Sequence, residues 1–172
     1  MANIKTIPSV SVNYACNGKS TTANEMGMRV MQERAYEKRG EQYLLIKSPP
    51  ASGKSRALMF IALDKLHNQC LKKAIIVVPE KSIGSSFNDE PLSKHGFWAD
   101  WVVAPQWNLC NAPGDDNGGK IGSVKAFLES NDRILVCTHA TFRFSVDRYG
   151  IEVFDDCLIA VDEFHHVSAA ED

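Results

Sequence analysis

The sequence predicts an α/β domain built on a mostly parallel sheet with helices packed against it. Two observations carry this. First, apolar runs recur at residues 43–46, 74–78, 101–104, 134–137 and 158–161, each short and almost continuously apolar rather than alternating. Strands covered on both faces have that pattern, and such strands belong to parallel sheets flanked by helices. Second, helix-period segments lie between the runs, above all at residues 53–69 and 120–130. A chain of 172 residues, 44% hydrophobic and 23% charged, is the size of one domain with its own core.

Residues 1–21 read as a polar, weakly patterned N-terminal lead-in, in which Val10-Ser11-Val12 fits a short edge strand or a plain approach to the domain. The domain proper is expected over residues 22–172. Thr22-Ala23-Asn24-Glu25 has capping-box spacing and predicts a helix start near Thr22. Ala23, Met26, Val30 and Ala35 would form its apolar face and Gly40 its stop. Residues 43–46 are the first strong strand. The helix over residues 53–69 carries Leu58, Ile61, Ala62 and Leu66 on one face, widened by Met59, Phe60 and Leu63, and is expected to be well buried. Residues 111–119, rich in Asn, Asp, Gly and Pro, read as a loop. Val124, Phe127 and Leu128 give the helix over residues 120–130 its inward face.

The net charge of −2 and pI of about 6.2 provide no global basic field, so composition alone demands no nucleic acid, although a local groove is compatible with it. Cys16, Cys70, Cys110, Cys137 and Cys157 are scattered and never form Cys-x-x-Cys, the pattern of reduced thiols filling a core. No basic stretch precedes an apolar run at the N-terminus, and no segment reaches the ~18 apolar residues of a membrane span. A cytoplasmic location away from membranes is the expectation.

Ser48-Pro49-Pro50-Ala51-Ser52-Gly53-Lys54-Ser55 joins the first strong strand to the buried helix. Strand, tight loop, Gly-Lys-Ser and helix is the order of a phosphate-binding loop. Such a loop turns consecutive N–H groups toward one oxyanion at a helix N-terminus. Pro49 and Pro50 lack N–H, so the donors fall to Ala51, Ser52, Gly53, Lys54, Ser55 and Arg56. Gly53 would let the backbone approach a β-phosphate, Lys54 would neutralise the β- and γ-phosphates, and the Ser55 hydroxyl would ligate Mg2+. Asn17-Gly18-Lys19-Ser20 repeats the tripeptide, but with Asn13 at the first loop position and no solid strand before it, and reads as a decoy.

Leu158-Ile159-Ala160-Val161 ends in Asp162-Glu163. Carboxylates at the C-terminal end of a buried strand suit triphosphate chemistry. Asp162 can hold the hydration shell of Mg2+, and Glu163 can orient or deprotonate an attacking water. Both motifs are expected at strand ends on one edge of the sheet, where open α/β folds bind ligands. His165 and His166 follow, but adjacent histidines beside one acidic pair do not make a zinc spacing.

Asp162-Glu163-Phe164-His165 resembles the DExH box of superfamily 2 helicases and translocases. Ser48 to Ser55 resembles that family's motif I, often Ala-Pro-Thr-Gly-x-Gly-Lys-Thr; Pro50 and Ala51 depart from the usual Thr and Gly. Arg29-Val30-Met31-Gln32 resembles the upstream glutamine motif, whose amide suits the adenine edge. Val78-Pro79-Glu80-Lys81-Ser82 resembles motif Ia, and Cys137-Thr138-His139-Ala140-Thr141 a later strand-end motif. The similarity is greatest to restriction-enzyme translocating subunits and related bacterial or phage helicases.

The resemblance implies a three-layer, RecA-like P-loop NTPase domain that hydrolyses ATP with Mg2+. It assigns catalysis to Lys54, Asp162 and Glu163, adenine to Gln32, nucleic-acid contact to Pro79, Lys81, Thr138 and His139, and coupling to His165. It also implies a continuation beyond Asp172 through motif III and a second RecA-like domain with an arginine finger. Without that finger, worth ~10³ to 10⁵ in rate in related NTPases, the chain alone should bind nucleotide weakly and hydrolyse it poorly. The whole protein is expected to move on nucleic acid, DNA rather than RNA. A regulatory nucleotide-binding module without motor activity is the alternative, and a small-molecule kinase is a weaker third.

Overall fold

The computed structural model describes residues 7–11, 23–111 and 119–163. The Asn17–Ser20 repeat, Thr22, His165 and most of the expected loop at residues 111–119 lie outside the described residues. The described chain is α/β, and every strand pair within its sheets is parallel. It divides into two compact units, residues 1–65 with 91–100 and residues 66–90 with 101–172.

In the first unit, β1 (Ser9–Ser11) pairs in parallel with β2 (Leu45–Lys47). The lead-in residues 9–11 are thus a strand. Helix α1 spans Val30–Glu37 and α2 spans Lys54–Asn68. The predicted helix start near Thr22 is corrected, because residues 23–29 form a turn. The Asn24 side chain accepts the N–H groups of Met26 and Met28 at 3.0 and 2.9 Å, and Gly27 sits at φ +76°, so the backbone is held out of helical geometry. The helix begins where Gln32 reaches back to accept the Arg29 N–H at 2.8 Å. Its buried side is Met31, Gln32, Ala35 and Tyr36, while Val30, expected inside, is exposed. The Tyr36 hydroxyl donates to Asp64 of α2 at 3.2 Å, and Arg39 pairs with the same carboxylate at 3.3 Å. Phe97 packs edge-on to Tyr36 and Phe60.

The second unit is built on β3 (Lys73–Val78), flanked by β4 (Ile134–Thr138) and β5 (Cys157–Val161). Ala74 to Val78 of the central strand are all buried, as the continuous apolar run predicts. Helices α3 (Gly119–Glu129) and α4 (His139–Tyr149) belong to this unit, and Ile75, Val77, Val124, Phe127, Leu135 and Phe154 share one core. Lys73 caps that core, donating to the carbonyls of Ser130, at 2.8 Å, and Asp132 while its cation lies 4.4 Å from the Phe127 ring centroid.

Residues 101–104, expected as a strand, make only an isolated antiparallel bridge between Trp101 and Glu90. The Val103 N–H is taken by the Asp89 carboxylate at 2.8 Å, and Pro105 opens a 3-10 turn, so no ladder can extend. The Trp101 indole is buried and donates to the Phe87 carbonyl at 3.0 Å. Among the described residues the strands form two hydrogen-bonded groups, β1 with β2 and β3 with β4 and β5. No described helix is long and apolar enough to cross a membrane.

Candidate functional site

In the first unit, β2 delivers the chain into Ser48 to Gly53, and α2 begins at Lys54. Two residues of the loop adopt left-handed backbone, Ala51 at φ +58° and Gly53 at φ +89°. Left-handed residues alternating with ordinary ones turn successive N–H groups to one side, the nest that cradles an anion. Behind them stands the N-terminus of a 15-residue helix with no acidic residue in its first turn, so its dipole meets a negative ligand unopposed there. The residues present therefore fit a phosphate group. The Gly53 carbonyl accepts the Ala57 N–H at 3.1 Å, the first helical bond, and Ser52 donates to the Ser48 hydroxyl at 2.8 Å across the loop.

Gln32 is the third part of this cradle. Its side-chain amide donates to the Gly53 carbonyl at 3.0 Å while accepting from Arg29, and only 2% of the residue is exposed. Gln32 thus braces the loop from α1. A Cβ on Gly53 would collide with the Gln32 amide nitrogen, so that side chain would have to give up its place, and the positive φ favours glycine independently. Ala51 has no such excuse: it holds a conformation costing an L-residue about 1–2 kcal/mol, at the position where superfamily 2 proteins usually have glycine.

In the second unit the strand ends line up. Val78 of β3 is in register with Thr138 of β4, and Val77 with Val161 of β5. Pro79, His139 and Asp162 therefore leave one edge of the sheet, its C-terminal edge. The Asp162 N–H donates to the Val77 carbonyl at 2.8 Å. Its Oδ1 accepts the Glu163 N–H at 3.0 Å, and Glu163 itself is left-handed at φ +53°. Strained non-glycine residues concentrate at functional sites. Lys81 is exposed beyond β3, in the 3-10 segment Lys81–Phe87.

At the end of β4 the strand-end motif opens helix α4. The Thr138 hydroxyl accepts the Thr141 N–H at 3.2 Å and caps α4, and Thr138, Thr141 and Ser145 are all buried. The His139 Nε2 lies 2.9 Å from the Asp162 carbonyl oxygen. Sequence reasoning missed both α4 and this link. The signals were Thr138 with Thr141 three residues on, a hydroxyl cap, and Gly150 as the stop.

The loop Ser48 to Gly53 with Gln32 lies in the first unit and Asp162-Glu163 in the second. Among the described residues no cluster of three or more His, Cys, Asp or Glu could hold a metal ion. Mg2+ in nucleotide sites needs fewer, since it takes one or two carboxylates plus substrate phosphates. Cys137 is fully buried, and burial pushes its thiol far up, the state of an inert core filler.

Residues 24–172 match the family described as type III restriction enzyme, res subunit. A protein of Bacillus subtilis (strain 168) bearing the name "Putative ATP-dependent helicase YeeB" is 56% identical over 160 residues, which cover 93% of this chain and 26% of that protein. The chain thus spans about a quarter of the length of that curated relative. No solved structure matches it.

Proposed function

Because the chain belongs to the family of type III restriction enzyme res subunits, we propose that it is the ATP-binding part of a helicase or translocase that moves on nucleic acid, DNA rather than RNA. The observation that carries this is the loop before α2: Ala51 and Gly53 left-handed, at the N-terminus of a helix that opens with Lys54 and Ser55. The name of the B. subtilis relative points the same way. Its length beyond the matched stretch leaves room there for a second RecA-like domain with the remaining motifs.

In this reading the N–H groups of Ala51 to Arg56 receive the nucleotide phosphates and Lys54 neutralises their charge. Ser55 and Asp162 are the residues that hold Mg2+, which supplies charge neutralisation in phosphoryl transfer. Glu163 orients or deprotonates the attacking water. A glutamine amide has two N–H groups and two lone pairs. The bonds to Gly53 and Arg29 use one of each, leaving one of each for adenine. Pro79 and Lys81, with Thr138 at the same sheet edge, face the nucleic-acid backbone, and His165 couples the two functions.

The test uses the full-length protein. Lys54→Ala should abolish binding of a fluorescent ATP analogue, whereas Glu163→Gln should keep binding and stop turnover. Analogue affinity unchanged by Lys54→Ala would remove the central claim. Turnover indifferent to added DNA or RNA would replace the motor by a regulatory nucleotide-binding module.

A further inference from the structure

We propose that His139 is a positioning residue for the Asp162-Glu163 box, holding it through the main chain from the neighbouring motif. The proposal rests on the reading of Glu163 as the group that directs water.

The geometry is specific. β4 and β5 are separated by β3, so they lie roughly 10 Å apart at about 4.8 Å per neighbour and share no ladder bonds. His139 crosses that gap at the strand ends, its Nε2 2.9 Å from the Asp162 carbonyl oxygen. A carbonyl only accepts, so Nε2 carries the hydrogen. The peptide group between Asp162 and Glu163 is then held at both ends. Its C=O accepts from His139, and its N–H donates to Asp162 Oδ1 at 3.0 Å. The orientation of that peptide sets the direction in which the Glu163 side chain leaves the strand. Glu163 is left-handed, a conformation that a non-glycine residue keeps only when its surroundings hold it.

His139 is itself well anchored. It is the first residue of α4, whose start is capped by the Thr138 hydroxyl, with Thr141 and Ser145 buried beneath. A half-buried imidazole engaged with the box is less available as a point contact for a phosphate, the role that resemblance gives it. The two roles predict different kinetics.

The experiment compares His139→Ala and His139→Gln in the full-length protein, reading ATP turnover at saturating oligonucleotide, KM for ATP and oligonucleotide affinity. Glutamine places an N–H donor at similar reach. His139→Ala should lower kcat by ~10- to 100-fold, the usual effect of removing a group that orients another. KM and oligonucleotide affinity should stay unchanged, and His139→Gln should restore most of kcat. Hydrogen–deuterium exchange of the peptide containing Glu163 should quicken in His139→Ala and recover in His139→Gln, a readout that needs no turnover. Weakened oligonucleotide affinity with unchanged kcat would overturn the proposal in favour of a phosphate contact. Unchanged exchange at Glu163 would overturn it outright. An inactive parent protein with the expected exchange pattern would sink the ATPase reading and leave the main-chain link standing.

Discussion

Replacing Gly53 by alanine should damage the loop before α2, the proposed phosphate cradle, through two separable terms. The backbone at φ +89° is one an L-residue adopts only under strain, at ~1–2 kcal/mol. The new Cβ also lands on the Gln32 amide nitrogen, which must leave the Gly53 carbonyl. Displacing a buried amide from its partner costs ~1–3 kcal/mol. The sum is about 3 kcal/mol, or roughly a hundredfold in affinity for a fluorescent ATP analogue at 1.4 kcal/mol per decade. Gln32→Ala separates the terms, because it removes the collision and leaves only the backbone strain. In that background Gly53→Ala should cost only ~1–2 kcal/mol, giving a coupling of ~1–3 kcal/mol in the double-mutant cycle. The same cycle read on the thermal midpoint does not depend on nucleotide. Effects that add within ~0.5 kcal/mol would refute the claim that Gln32 braces the loop.

Two further outcomes follow from the same unit. Ala51→Gly should relieve the left-handed strain at φ +58°, tightening analogue binding several-fold or raising the thermal midpoint; a loss of both would show that the alanine methyl is needed. Tyr36→Phe removes the hydroxyl that donates to Asp64 and accepts from Trp98, a loss of ~1–2 kcal/mol near neutral pH. Burial, the largest cause, raises the Tyr36 phenol above its ordinary value. Its stabilising effect is therefore complete below the unfolded value of about 10 and fades as pH rises through the higher folded value. Melting of wild type and Tyr36→Phe should converge above that pH, and a gap constant with pH would contradict the assignment.

The legible parts of this fold are those in which burial is written as local composition. The continuous apolar runs of β3, β4 and β5 and the buried face of α2 announce themselves because each residue contributes the same signal as its neighbours. The misread parts are those where one polar side chain overrides the local pattern. Asn24 satisfies the amides that a helix from Thr22 would have used, and Asp89 takes the Val103 amide that a strand would have needed. Helix α4 escaped notice for a related reason: its buried residues are Thr141, whose hydroxyl bonds to that of Thr138, and Ser145, whose hydroxyl donates to the Thr141 carbonyl, while its apolar Phe142 and Val146 are only partly buried against the core.

The candidate site divides along the same line. Gly53-Lys54-Ser55 and Asp162-Glu163 are recognisable because their chemistry resides in contiguous residues at the end of a strand. What Gln32 and His139 do could not be read that way. Gln32 reaches Gly53 and His139 reaches Asp162 from distant points in the chain, and each bond ends on a backbone carbonyl. Any residue type would supply a carbonyl at those two positions, so the partner leaves no mark in the sequence. Only the folded chain, by bringing α1 to the loop and setting β4 and β5 on either side of β3, determines which carbonyl each side chain meets.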